Sequence, residues 1–279
     1  MTSILFQEID RAVENALQED IGSGDLTAEL IPPNKIGKAK ILSRESAILC
    51  GSRWLDTVFQ RLDPDVQVTW DAKDGDVLLK NQVFCEISGN ARAILSGERT
   101  ALNFLQTLSA TATITRAYVN AIKGLNSIIV DTRKTIPGLR LAQKYAVEVG
   151  GGKNHRFGLY DGILIKENHI VSAGGIAPAL QAARSTAGPS TMVMIEVENL
   201  LDLEIAISNG AKLILLDNFT VTQLRDAVTL NKKRAILEAS GGINLQSVRA
   251  IAETGVDRIS VGSLTKDVKA IDLSMRFTI

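Results

Sequence analysis

Six segments decide the fold: Ser127-Ile-Ile-Val-Asp131, Gly162-Ile-Leu-Ile-Lys166, Met192-Val-Met-Ile-Glu196, Leu213-Ile-Leu-Leu-Asp217, Ala235-Ile-Leu-Glu-Ala239 and Arg258-Ile-Ser-Val-Gly262. Most are apolar runs closed by a polar residue or a glycine, and each leads toward a stretch with helical spacing. Fully apolar strands alternating with helices predict a parallel sheet covered on its outer side. Six strands, or seven if a short one is hidden, fall below the eight of a complete (β/α) barrel. The polar residues nevertheless stand at equivalent strand ends, where such barrels build active sites, so an incomplete barrel fits better than an open nucleotide-binding sheet. No Gly-x-Gly-x-x-Gly follows the first of these strands, which removes the dinucleotide fingerprint.

Outward from this half the texture changes. Phe6, Ile9, Val13, Ala16 and Leu17 predict a helix over residues 4–20 that stops before Gly22-Ser23-Gly24. Between about 37 and 90, short β-prone runs separated by Gly and Asp turns predict a small, largely antiparallel sheet, interrupted by a helix over 52–61. Ile94, Leu95, Leu102, Leu105 and Leu108 form one apolar stripe of a helix over 91–123, with Gly97 as its weak point. The expected division is an N-terminal domain over 1–110, joined by the chain's end at about 270–279, and a barrel over 111–269.

The 279 residues carry 31 Lys and Arg against 31 Asp and Glu. Net zero charge leaves no global basic field for nucleic acid or an anionic membrane, so any cationic site must be local. Two histidines and two distant cysteines, Cys50 and Cys85, make no zinc cluster; both thiols read as core residues of a reducing compartment. The acids near the N-terminus and the lack of about 18 uninterrupted apolar residues predict a soluble, cytoplasmic protein.

Local cations stand at the strand ends. Arg133 and Lys134 follow the first barrel strand, a fork and a point charge suited to an anion, although a solvated basic loop would look the same. Gly150-Gly151-Gly152-Lys153-Asn154-His155-Arg156 lacks the Ser or Thr and the preceding strand of a phosphate loop. It reads instead as a flexible run delivering His155, a hydrogen-bond donor or proton carrier, and Arg156, a second fork, to the same mouth. Lys166 closes an apolar strand, where burial needs an anion, a chemical task or a salt bridge to Glu196 or Asp217. Those two acids, with Glu198, suit Mg²⁺ held through water, sugar hydroxyls, or structural pairing with the cations. Ser240-Gly241-Gly242, expected to open a helix at Asn244, and Gly262-Ser263 offer glycines of the kind that late barrel strands use for phosphate.

The same residues carry a resemblance. Glu19-Asp20, Gly24-Asp-Leu-Thr27, Gly97-Glu-Arg-Thr-Ala-Leu-Asn103, Asp131-Thr-Arg-Lys-Thr135, Pro137-Gly-Leu-Arg140 and Lys144-Tyr-Ala-Val147 occur in order. Residues 150–156, Leu164-Ile-Lys-Glu-Asn-His169, Glu196-Val-Glu198, Leu216-Asp-Asn-Phe219, Glu238-Ala-Ser-Gly-Gly242 and Ile259-Ser-Val-Gly-Ser-Leu-Thr265 follow. Nearly end to end the chain resembles the quinolinate phosphoribosyltransferases of NAD biosynthesis. The resemblance implies an N-terminal α/β sandwich plus an incomplete α/β barrel. It implies transfer of phosphoribosyl from 5-phosphoribosyl 1-pyrophosphate (PRPP) to quinolinate with decarboxylation, and a homo-oligomer, at least a dimer. Arg133, Lys134, His155, Arg156 and Lys166 would hold quinolinate, with Arg99 supplied by a neighbouring subunit. Glu196 and Asp217 would face ribose and Mg²⁺, and Ser240, Gly241, Gly242 and Gly262 the 5'-phosphate; Lys134, Lys166, Glu196 and Asp217 form the expected catalytic set. Two other classes fit parts of the pattern: a Schiff-base aldolase using Lys166, and a non-catalytic phosphosugar-binding protein.

Overall fold

The computed structural model describes residues 3–278, with side chains from Phe6 onward; the expected domain limits at residues 1 and 279 lie outside them. The chain divides into two compact units, one of residues up to 116 with 135–151 and 267 onward, the other of 117–134 with 152–266.

In the first unit, helix α1 (Ser3–Ile21) precedes β1 (Ile36–Ser43), β2 (Ala47–Ile48), α2 (Ser52–Leu62), β3 (Gln67–Trp70), β4 (Val77–Leu78), β5 (Val83–Asn90) and most of the long α3 (Ala91–Ala121), whose end belongs to the second unit. β1 pairs antiparallel with β5, and β5 with β3; the chain's last strand, Leu273–Thr278, pairs antiparallel with β1 and completes a four-stranded sheet. β1 shows why it is a strand with one buried face: positions from Ile36 to Ile41 alternate exposed and buried, as a period of two requires. The buried side joins one apolar core of Val13, Ile41, Trp54, Phe59, Phe84, Ile87, Leu105 and Leu108 among others. Gly97, expected as a weak point of α3, packs flush on Phe59: a Cβ there would stand 2.7 Å from the ring.

Helix α4 (Arg140–Gly150) also belongs to this unit, although the expected boundary at 110/111 put it with the barrel. The reason is its apolar face. Ala142 and Ala146 enter the same core, the Tyr145 ring lies 5.6 Å from Trp54, and the Tyr145 hydroxyl donates to Asp74 at 2.8 Å.

The second unit holds β6 (Ile128–Val130), β7 (Gly162–Ile165), α5 (Glu167–Ala173), α6 (Ile176–Thr186), β8 (Met192–Val197), α7 (Leu200–Ser208) and β9 (Leu213–Asp217). It continues with α8 (Val221–Asn231), β10 (Ile236–Ser240), α9 (Val248–Ala252), β11 (Arg258–Ser260) and α10 (Ser263–Lys266); β12 is the last strand, Leu273–Thr278, of the first unit. The six strands form one parallel sheet in the order β6-β11-β10-β9-β8-β7. No seventh strand joins it among the described residues. In its place Lys153 makes a single parallel bridge to Val130, donating to the Ile129 carbonyl at 2.9 Å and accepting from the Asp131 N–H at 3.1 Å. The helix expected from Asn244 starts only at Val248. The Asn244 side chain instead accepts from the N–H groups of Gln246 and Ser247, a local turn that competes with helix initiation.

Candidate active site

A cavity of about 340 Å³ lies in the second unit, bordered by Arg133, Lys134, His155, Arg156, Lys166, Glu196, Asp217 and Ser240, and also by Glu238 and Ser260. These residues sit at or just beyond the carboxyl ends of the strands, the end at which parallel α/β sheets bind ligands.

The Lys153 bridge explains how two of the cations arrive. It holds the 153–156 segment along the edge of β6, and the Asp131 carboxylate fixes it further by accepting from the His155 N–H at 2.8 Å. Arg156 then reaches across to β7, its Nη1 donating to the Gly162 carbonyl at 2.8 Å. One arginine thus bridges the gap that a missing strand would fill. Burial, with the neighbouring Arg133 charge, lowers the proton affinity of Arg156. Like charges this close suit an anionic ligand that compensates both.

Lys134 is set by a turn and a contact. Its N–H donates to Thr132 Oγ1 at 3.0 Å, its carbonyl accepts from the Thr265 hydroxyl at 2.8 Å, and its side-chain stem crosses Gly262, where a Cβ would stand only 3.2 Å away. The sequence placed Gly262 at a phosphate; here its missing side chain makes room for the lysine. Lys166 is half exposed rather than buried, and its Nζ donates to Glu196 at 2.8 Å, the salt bridge weighed from the sequence. His169 accepts from the Lys166 N–H at 3.0 Å and pins the start of α5.

His155 is buried, at 7% exposure, and both ring nitrogens face protein. Nδ1 accepts from the Arg156 N–H at 2.8 Å, so the ring proton sits on Nε2, which lies 3.4 Å from Met194 Sδ and 3.7 Å from Glu238 Oε1. A proton carrier working in both directions is therefore not what this ring is built to be.

At the end of β9, Asn218 adopts a left-handed backbone with φ of 57°, donates its N–H to the Ser240 carbonyl and its side-chain amide to Asp217, both at 2.9 Å. Gly241, at φ of 103°, permits this: a Cβ there would fall 2.1 Å from the Asn218 amide oxygen. Gly241 and Gly242 form the turn after Ser240, and neither they nor Gly262 line the cavity wall itself. Arg99 is not among the lining residues; it is exposed on α3 in the first unit.

Sequence reasoning assigned no role to Glu238, which is fully buried on β10. The clue is an acid inside an apolar strand, two residues before Ser240 and therefore on the same inward face. Burial pushes its carboxyl up to about 7 against the pull of the Arg258 guanidinium, whose Nε lies 2.9 Å from Oε2. The two carboxylates expected to hold a metal, Glu196 and Asp217, both line the cavity, but no group of three or more His, Cys, Asp or Glu able to grip an ion by itself exists among the described residues. That donor set fits Mg²⁺, which binds through one or two carboxylates plus substrate phosphates and water.

A model of the quinolinate phosphoribosyl transferase C-terminal domain matches residues 111–276, and one of the N-terminal domain residues 25–109. The chain belongs to the quinolinate phosphoribosyltransferase family. It is 43% identical over 272 residues to a probable nicotinate-nucleotide pyrophosphorylase (carboxylating) of Bacillus subtilis, covering 98% of this chain and 94% of that protein. A quinolinate phosphoribosyltransferase (decarboxylating) of Nicotiana tabacum is 37% identical, with coverage of 96% and 82%. Among solved structures, the nicotinate-nucleotide pyrophosphorylase of Francisella tularensis superposes with a TM-score of 0.95 at 47% identity, covering 98% of this chain and 96% of that one. The two-domain architecture expected from the resemblance is the one observed. Among the described residues, no helix is long and apolar enough to cross a membrane.

Proposed function

We infer that the protein transfers the phosphoribosyl group of PRPP to quinolinate with loss of CO₂, giving nicotinate mononucleotide and pyrophosphate in NAD biosynthesis. The observation that carries the reading is the cavity itself: four cations, Arg133, Lys134, Arg156 and Lys166, border one mouth in a chain that matches the family along nearly its whole length. A planar dicarboxylate fits such a set, with Arg133 and Arg156 as forks and Lys134 and Lys166 as point charges. His155 fixes the backbone of Arg156 by accepting its N–H.

The ring nitrogen attacks the ribosyl carbon as pyrophosphate leaves, so orientation of the two substrates supplies much of the barrier reduction. Glu196 and Asp217 face the positive charge that develops on the ribose and hold its hydroxyls. Lys166 is freed from Glu196 when a carboxylate takes its place. Ser240 with the Gly241-Gly242 turn offers hydroxyl and backbone donors to the 5'-phosphate, and Gly262 admits the stem of Lys134 beside it. Asp217 and Glu196 would hold Mg²⁺ through water, and the ion would supply neutralising charge to the pyrophosphate. After transfer the pyridinium ring accepts the electrons that the departing carboxylate leaves behind, so no organic cofactor is required. Lys134, Lys166, Glu196 and Asp217 are the catalytic set of this reading. The protein works as a cytoplasmic homo-oligomer, at least a dimer, in which Arg99 of one subunit completes the cationic set of the next.

The test is substrate selection. Nicotinate leaves part of the cage without its anion, which costs roughly 2–5 kcal/mol. Quinolinate should be turned over with release of CO₂ while nicotinate is a very poor substrate; equal turnover of the two, measured by product chromatography, would sink the assignment.

A further inference from the structure

Decarboxylation leaves one requirement that the residues assigned so far do not meet. When the carboxylate on ring carbon 2 departs, the carbon–carbon bond breaks and its electron pair stays on carbon 2. A proton must then reach that carbon to give the product, so each turnover consumes one proton inside the cavity.

We propose that Glu238, in its protonated form, donates that proton. The proposal rests on the activity inferred above. The residue borders the cavity on the inward face of β10 and is fully buried, so its carboxyl lies beside the ligand space and is screened from bulk water. No well-aligned hydrogen bond holds either oxygen among the described residues: Arg258 Nε is 2.9 Å away but out of line, His155 Nε2 is at 3.7 Å, and the neighbouring Ser260 hydroxyl donates to the Ala239 carbonyl at 3.3 Å. A buried acid without such partners costs free energy unless it has a task. Other titrating groups at the cavity are held: Lys166 is paired with Glu196, Asp217 accepts from Asn218, and His155 Nδ1 accepts from the Arg156 N–H.

The charges around Glu238 also time the transfer. Its neighbours are Arg258 and Ser260 on β11, Asp131 beyond the end of β6, and His155, and burial outweighs the arginine so that the carboxyl is pushed up to about 7. A bound dianion raises its proton affinity further and loads the acid. Once the ring nitrogen carries ribose, the positive ring lowers that affinity just as carbon 2 requires the proton. The Glu238 O–H bond breaks, the C2–H bond forms, and the carboxylate left behind takes a proton from solvent after the product leaves.

A single turnover that follows pyrophosphate and CO₂ separately tests this. In Glu238→Gln, pyrophosphate release should stay within a few-fold of the wild-type rate while CO₂ release falls about 100-fold. Without the donor, CO₂ is recaptured by the carbanion, so the N-ribosylated dicarboxylate should accumulate and be seen by mass spectrometry. Glu238→Asp, which keeps an acid one methylene further back, should show a smaller lag and serves if the glutamine variant does not fold. Pyrophosphate and CO₂ appearing in step, at wild-type rate or slowed equally, in a folded variant would overturn the proton-donor role. A wild-type protein that releases neither from quinolinate and PRPP would overturn the activity itself, and the role with it.

Discussion

The two units bury different things. The first encloses a continuous apolar core in which Trp54, Phe59, Phe84 and Leu105 are all but excluded from solvent. The second unit buries an apolar cluster of Met194, Leu213 and Leu215, together with Ile195, Ile214 and Ile259, and beside these it buries Asp131, His155, Glu238 and Ser260. Apolar burial contributes about 25 cal/mol per Å² without regard to direction, whereas a buried polar group is tolerated only where partners or ligands compensate it. The first unit thus buries mainly apolar side chains, with Lys144 as a fully buried cation, and the second buries Asp131, His155 and Glu238 among its apolar strands, which holds charge in fixed positions.

The largest effect that can break this contrast is in the first unit. Phe59→Ala removes a fully buried ring against Gly97 and should cost about 3–5 kcal/mol of stability. Activity per folded molecule should be unchanged, as denaturant melts paired with initial rates would reveal. A variant that keeps its stability but loses turnover would show that the division of labour is wrong.

In the barrel the sign reverses. Arg133→Lys keeps the charge but loses the planar fork, and calorimetry should report quinolinate binding weakened about tenfold or more with the melting temperature unmoved. An unchanged Kd would count against a bidentate contact at this position.

Arg99 sharpens the contrast because it is the one assigned residue outside the barrel unit. Arg99→Ala and Lys166→Ala should each be inactive. Mixed and allowed to re-associate in equal amounts, they should recover roughly a quarter of wild-type activity, since half the dimers are mixed and each has one intact site of two. Mixed dimers verified by mass spectrometry, with activity still at the level of the separate mutants, would remove Arg99 from the site.

The sequence alone determined the parallel strands, their number and the polarity of their ends, because apolar period and turn residues are local properties read over five to fifteen positions. It also pointed to the candidate cations: Arg133, Lys134 and Lys166 stand at those ends, and His155 and Arg156 follow a glycine run. Whether a side chain at a strand end faces ligand, protein or water depends on residues distant in the chain. Only the tertiary structure decided that Lys166 rests on Glu196, 30 positions away, and that both His155 nitrogens are turned to protein. It also decided that Gly262 admits Lys134, and that α4 packs with the first unit. Glu238 shows the limit most clearly. An acid in an apolar strand is visible in the sequence, but its burial beside Arg258, Asp131 and His155 is an electrostatic environment assembled from three other segments of the chain.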